Sequence, residues 1–153
     1  MNGKEIVAIL TNDLQSRRIF RGVYARDELP HTVCYRPSVY VINTDHSRGR
    51  GLHWVVVYIG LHNEVEYFDS FGIPPTHPSI NDFILRNTLQ PLRFNTRLIQ
   101  NIISIRCGEF CCYYVLMKSR GASMSRIVQV FDTENLQSND RRVRKLLQRF
   151  IFV

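Results

Sequence analysis

The sequence predicts a single α+β domain over residues 1–153, with strands gathered in the middle of the chain and helices at both ends. Three observations carry this. β-Branched and aromatic runs cluster between Val39 and Asp69, apolar residues at helical spacing open and close the chain, and no internal repeat, low-complexity tract or linker interrupts it. At 153 residues and 44% hydrophobic composition, such a domain buries about two-thirds of its unfolded surface and needs no covalent staples to fold.

Lys4 to Leu14 places Ile6, Val7, Ile9, Leu10 and Leu14 at helical spacing, which predicts an amphipathic opening helix. Phe20 to Pro37, punctuated by Gly22, Pro30 and Pro37, reads as an extended connection with strand fragments. Val39 to Thr44 predicts a strand and the charged, glycine-rich Asp45 to Gly51 a loop. Leu52 to Ile59 is strongly β-prone, and its near-continuous apolar character marks a central strand covered on both faces. Gly60 to Asn63 turns the chain into Glu64 to Asp69, an alternating strand. Antiparallel pairing of these two strands sets Asp69 near His53 in a suitable register.

Pro74, Pro75 and Pro78 then break the chain before a helix over Asn81 to Leu89, strand fragments over Leu92 to Phe94 and Arg97 to Ile99, and a connection from Gln100 to Arg106. At Cys107 a Cys-Gly step opens a long apolar run without proline, which reads as a buried helix with Cys107 in its first turn. Ser123 to Phe131 is helical. The final helix spans Asn139 to Phe152, with Val143, Leu146, Leu147, Phe150 and Ile151 on one face and Arg141, Arg142, Arg144, Lys145 and Arg149 elsewhere.

The chain has no stretch of 18 apolar residues, and Met-Asn-Gly-Lys-Glu at its start lacks a secretory pattern, so a soluble intracellular protein without membrane contact is expected. Four cysteines, two of them adjacent, make a poor disulfide framework and fit a reducing compartment. The net charge of +7 and pI near 9.6 favour a polyanionic partner such as DNA, through the arginines of the last helix, or serve solubility alone.

The chemistry begins at Cys107. A helix N-terminus offers unpaired N–H groups and a positive dipole end, both of which favour the thiolate, the nucleophilic form. Gly108 beside it removes a side chain where a substrate backbone would approach. Acyl transfer by a thiolate also needs an imidazole, a group that orients the imidazole, and donors for the oxyanion. His53 before a core strand, Asp69 at the end of the next strand and Gln100 seven residues before Cys107 supply one candidate for each. A zinc site from Cys107, Cys111, Cys112 and His53 lacks the usual ligand spacing, so no metal is expected. Cys34, Cys111 and Cys112 read as packing residues, and His31, His46, His62 and His77 as solvated loop side chains without partners.

The order His53, Asp69, Gln100, Cys107, in the contexts Gly51-Leu52-His53-Trp54, Phe68-Asp69-Ser70-Phe71-Gly72 and Cys107-Gly108-Glu109-Phe110-Cys111-Cys112, resembles adenain, the adenovirus maturation protease family. Val41 to Thr44 and Phe20 to Tyr24 extend the likeness over most of residues 1–120. Its compactness looks more like the proteases of polinton (Maverick) elements or adintoviruses than an adenovirus enzyme. The resemblance implies a papain-like, ubiquitin-like-protease-type core with a mixed central sheet. In it Cys107 is the nucleophile, His53 the general base and acid, Asp69 the orienter, and Gln100 with the Cys107 amide the oxyanion hole. Trp54 and Gly51 would line the substrate cleft.

The implied function is a monomeric endopeptidase that processes viral or element-encoded structural precursors at Gly-containing sites, in the host nucleus or the virion. The alternatives are a peptidase for ubiquitin or ubiquitin-like tails and an inert basic DNA-binding protein. The family's orienting residue is usually Glu rather than Asp, and Leu89 stands where adenovirus enzymes carry the cysteine that joins a peptide cofactor. A peptide activator would therefore be non-covalent, with DNA the other candidate cofactor.

Overall fold

The computed structural model describes residues 1–151. The strands β1 (Phe20–Ala25), β2 (Ser38–Asn43), β3 (Trp54–Ile59), β4 (Val65–Phe68) and β5 (Leu92–Phe94) form one mixed sheet in the order β1-β2-β3-β4-β5. Both edge pairs, β1 with β2 and β4 with β5, are parallel, and the two central pairs are antiparallel. The helices are α1 (Gly3–Asn12), α2 (Ser16–Ile19), α3 (Pro78–Asn87), α4 (Cys107–Lys118), α5 (Met124–Gln129) and α6 (Leu136–Ile151). An α+β domain with a mixed sheet between helices is the class that the sequence predicts.

Period-two alternation divides the apolar residues of the strands between two cores. Val39, Val41, Val56 and Phe68 join α1, α4, α5 and α6 on one face, whereas Tyr40, Ile42, Val55, Val57 and Tyr67 join Ile80, Phe83 and Ile84 of α3 on the other. β3 is thereby covered on both faces. α4 is buried from Cys107 to Leu116, consistent with a helix that is apolar all round rather than along one stripe. Phe68 of β4 stacks on Tyr114, with ring centroids 4.6 Å apart, and fastens α4 to the middle of the sheet. Cys107 stands at the N-terminal end of this helix, buried like the residues that follow it.

Several elements differ from expectation. The 20–37 segment opens with a full strand, because β1 pairs in parallel with β2 along Val23, Tyr24 and Ala25. Helix α3 starts at Pro78, three residues early, since proline is at home at the first helical position, where its missing N–H would have no partner. Arg97 to Ile99 forms no strand; instead the Ile99 and Gln100 N–H groups both donate to the Ser70 carbonyl. Helix α6 starts at Leu136 because Asn135 caps it, its side chain accepting the Ser138 N–H at 3.1 Å. Phe152, at the expected end of that helix, lies outside the described residues. Cys34 is exposed rather than packed. Two loop histidines have partners after all: His46 Nε2 lies 3.1 Å from Asp27 and His77 Nδ1 lies 3.3 Å from Arg26.

Candidate active site

Trp54 opens β3 and Phe68 closes β4, so His53 and Asp69 stand just outside the ladder at the same end of the sheet. The pairing sets Val56 opposite Phe68. One step further, Asp69 falls across from Val55 and becomes a diagonal neighbour of His53 on the same side of the pleat. His53 Nε2 lies 2.7 Å from Asp69 Oδ1, with the two side chains 15% and 7% exposed. Asp69 Oδ1 also accepts the Phe71 N–H at 2.8 Å, and the Phe71 ring stacks on the imidazole at 4.6 Å between centroids. The imidazole is held in its plane by the carboxylate and from one face by Phe71. Its other nitrogen, Nδ1, is left for Cys107, which lies close enough for each group to shift the other's pKa.

Cys107 is the first residue of α4, where the helix dipole favours an anion. Burial opposes its ionisation, but the His53 hydrogen bond, the Trp54 N–H, the imidazolium charge and the Gly108 N–H together hold its pKa below the ordinary thiol value. Burial also opposes a charged imidazole. Asp69 and then Cys107 outweigh that effect and raise the His53 pKa to about 9. Both shifts favour the thiolate–imidazolium form of the pair over the neutral one. Burial pushes the Cys111 and Cys112 thiols up, so neither competes as a nucleophile.

A cleft of about 550 Å³ passes over Cys107 and His53, walled by Trp54, Gly51, Leu52 and Ile105. Gly51 takes φ +90°, and its N–H donates to Asp45 Oδ2 at 3.0 Å. Asn43 Oδ1 accepts both the Asp45 and Leu52 N–H groups, which fixes the loop that leads into His53. Trp54 Nε1 donates to the Met1 carbonyl at 3.2 Å, so the indole is both cleft wall and packing.

Gly108 does not face the cleft. A Cβ there would stand 3.0 Å from Met1 Cβ and 3.3 Å from Trp54 Cδ1, so the missing side chain makes room for α1 and the indole rather than for a substrate backbone. Gln100 also lies behind the cleft. It is fully buried, its Oε1 accepts the Ser70 hydroxyl at 2.5 Å, and its Nε2 donates to the Ser104 carbonyl at 2.9 Å. Only an N–H can face that carbonyl, so the amide orientation is unambiguous. The structure thus hydrogen-bonds Asp69 to His53, sets His53 beside Cys107 in one cleft, and ties Gln100 to this group through Ser70.

Arg141, Arg142, Arg144, Lys145 and Arg149 are all exposed on α6, whose Val143 and Leu147 are buried in the α4 core. Among the described residues no cluster of His, Cys, Asp and Glu could hold a metal ion, and no helix is long and apolar enough to cross a membrane. Two residues at the site escaped sequence reasoning. Phe71 had a signal, an aromatic two positions after the acid. Asn95, whose side chain bonds the Asp69 main chain, had none, since an asparagine after a short strand reads as an ordinary turn residue.

No family model matches the chain. The chain is similar to the SUMO-1 cysteine protease of African swine fever virus, at 29% identity over 105 residues that cover 61% of this chain. A second strain's homologue, named a cysteine protease, matches equally. The chain spans 38% of the length of these curated relatives. Among solved structures, the central domain of the uncharacterized Lpg1148 protein from Legionella pneumophila has a TM-score of 0.56 at 15% identity, covering 100% of this chain and 98% of that one. That likeness is one of fold. The selenomethionine crystal structure of the African swine fever virus protease gives a TM-score of 0.46 at 23% identity over 71% of this chain and 44% of that one.

Proposed function

We propose that the chain is a cysteine endopeptidase with Cys107 as nucleophile, His53 as general base and acid, and Asp69 as orienter. The observation that carries this is the line Asp69–His53–Cys107 at the N-terminus of a buried helix, over an open cleft. Similarity to proteins named cysteine proteases supports it.

In this reading the Cys107 thiolate attacks the scissile carbonyl, forming the S–C bond, and the developing oxyanion meets the Cys107 N–H, one of the donors a helix start leaves without an intrahelical partner. The His53 imidazolium passes its Nδ1 proton to the leaving amine as the C–N bond breaks. It then takes a proton from the water that hydrolyses the thioester. Gln100 is the proposed second oxyanion donor, and to serve it must turn one of its two Nε2 hydrogens, now directed at the Ser104 carbonyl and hydroxyl, toward the substrate oxygen.

The finer assignment is to an adenain-type enzyme of a polinton or adintovirus, acting as a monomer on element-encoded structural precursors at Gly-containing sites, in the host nucleus or the virion. The matching motifs around His53, Asp69 and Cys107 support it. Leu89 carries no thiol, so the proposed peptide activator would be held without a disulfide at that position. Duplex DNA is the other proposed cofactor, held by Arg141, Arg142, Arg144, Lys145 and Arg149. A second reading, a peptidase for ubiquitin-like tails, is favoured by the name of the viral relative, a SUMO-1 protease.

The test is hydrolysis of Gly-Gly-containing precursor peptides and of SUMO and ubiquitin carrying a cleavable tail, by wild type and by Cys107→Ala. Cleavage of the peptides that Cys107→Ala loses supports the endopeptidase, and cleavage of the SUMO substrate alone moves the assignment to the second reading. Absence of any Cys107-dependent hydrolysis overturns both.

A further inference from the structure

β5 ends at Phe94, and with it the parallel ladder that pairs Val65 with Leu92, Glu66 with Arg93 and Tyr67 with Phe94. Asp69 lies beyond that ladder, buried, so its main-chain N–H would be left without a partner, a costly state for a buried group, and its C=O with the Gly72 N–H alone. The Asn95 side chain meets both. Its Oδ1 accepts the Asp69 N–H at 3.0 Å and its Nδ2 donates to the Asp69 carbonyl at 2.6 Å. A carboxamide carries the same donor and acceptor as a peptide unit, so Asn95 extends the sheet by one residue with a side chain in place of backbone.

Two features make this grip directional. Gly72 takes φ +71°, and a Cβ there would stand 2.8 Å from the backbone of both Thr96 and Arg97. The 95–97 segment therefore lies flush against the 69–72 turn, which closes through the Gly72 N–H on the Asp69 carbonyl at 2.8 Å. Asp69 is fixed at both main-chain groups, and its only remaining freedom, the carboxylate torsion, is taken up by Phe71 N–H and His53 Nε2. Asn95 is itself buried and lies away from the cleft over Cys107, facing a separate cavity of about 600 Å³ beside Arg93 and Met124. It cannot touch a substrate in that cleft.

We propose that Asn95 is the positioning residue of the His53–Asp69 pair: its carboxamide sets where the Asp69 carboxylate stands, and through it the imidazole that serves Cys107. The proposal rests on the catalytic roles given above. Its principal readout, alkylation of Cys107 by iodoacetamide as a function of pH, needs no substrate, so it can fail or succeed independently of the protease reading.

The experiment compares wild type, Asn95→Ala and Asn95→Ser with Leu92→Ala, which loosens β5 without touching Asp69 and serves as the stability control. Removing the carboxamide should weaken the carboxylate's hold on the imidazolium. The alkaline limb of the Cys107 pH profile should then move below the wild-type position near pH 9. On cleavable peptide, kcat should fall by about 10–100-fold with KM little changed, by analogy with the loss of the partner that orients a metal-binding histidine. Leu92→Ala should keep the wild-type limb at comparable loss of stability. Should Asn95→Ala not fold, Asn95→Ser carries the same comparison. An alkaline limb that stays put in the folded Asn95 variants, or that moves equally in Leu92→Ala, overturns the proposal.

Discussion

At Cys107 the net outcome is a contest between burial, which favours the neutral thiol, and the hydrogen bonds and charge of its neighbours, which favour the thiolate. The neighbours win, and that gives a pH window. At a pH below the ordinary thiol pKa of about 8.5, iodoacetamide should label Cys107 before the exposed Cys34, as tryptic mass spectrometry would read. Faster labelling of Cys34 at that pH would show that no thiolate rests at Cys107. As pH rises through about 9 the imidazolium loses its proton, the thiolate loses its counter-charge and the leaving amine its proton donor, so kcat/KM should fall there. Gln100 makes a sharper case. If its amide reaches the oxyanion, Gln100→Ala should lower kcat by about 10²–10³ with KM little changed. Ser70→Ala, which removes one anchor of the amide and leaves the donor, should cost far less. Equal losses in the two variants would reduce Gln100 to a residue that merely braces the loop. The places of His53 before β3, Asp69 after β4 and Cys107 at the start of α4 were legible from the apolar runs, whereas their roles came from the resemblance and their meeting needed a register that the sequence permits without fixing. The burial of Gly108 and Gln100 was not legible, because both depend on Met1, Trp54 and Ser104, which no local pattern connects to them.

Helix α4 is the element that must not move, since its first residue is the nucleophile. Its far end is anchored to β4 by Glu66, which accepts from the Tyr114 hydroxyl and from Lys118 Nζ at 2.9 Å, with the Lys118 ammonium also 4.5 Å from the Tyr58 ring centroid. Both members of the ion pair are close to fully buried. Removing one charge strands the other away from water, so Lys118→Met should destabilise the domain by about 3–5 kcal/mol, and Lys118→Met with Glu66→Leu should recover much of that loss. Urea denaturation of the single and double variants measures both. No recovery in the double variant would mean that the pair contributes stability beyond its own mutual neutralisation. At this scale the sequence was legible wherever apolar periodicity ran long, as in β3, α4 and α6. It misled at element starts: Pro78 opens a helix rather than ending a loop, and Asn135 caps α6 four residues before the asparagine chosen from the sequence. That asparagine, Asn139, is fully buried instead. It ties α6 to the segment before the nucleophile by donating to the Ile99 carbonyl at 2.9 Å.

Over the whole molecule the positive charge is not spread evenly with respect to the site. The net charge of +7 includes five basic residues on α6, and the helix turns its buried Val143 and Leu147 toward α4, leaving those residues in solvent. Arg142 is partly committed, its Nη1 donating to the Val130 carbonyl, whereas Arg120 and Asp13 form their own pair at 2.6 Å between Nη2 and Oδ1. A polyanion that engages Arg141, Arg142, Arg144, Lys145 and Arg149 would release counterions in proportion to the phosphates neutralised. With five contacts, duplex affinity should fall by roughly 500-fold between about 50 and 200 mM salt, without regard to base sequence. Fluorescence anisotropy across that range, on wild type and on the variant with Arg141, Arg142, Arg144 and Lys145 changed to Gln, reads the effect directly. The four-fold variant should retain only the shallow salt slope of its remaining charges, and because these side chains are exposed its thermal midpoint should stay close to wild type. An unaltered affinity and slope in that variant would remove α6 as the DNA-contacting surface and leave its arginines a role in solubility.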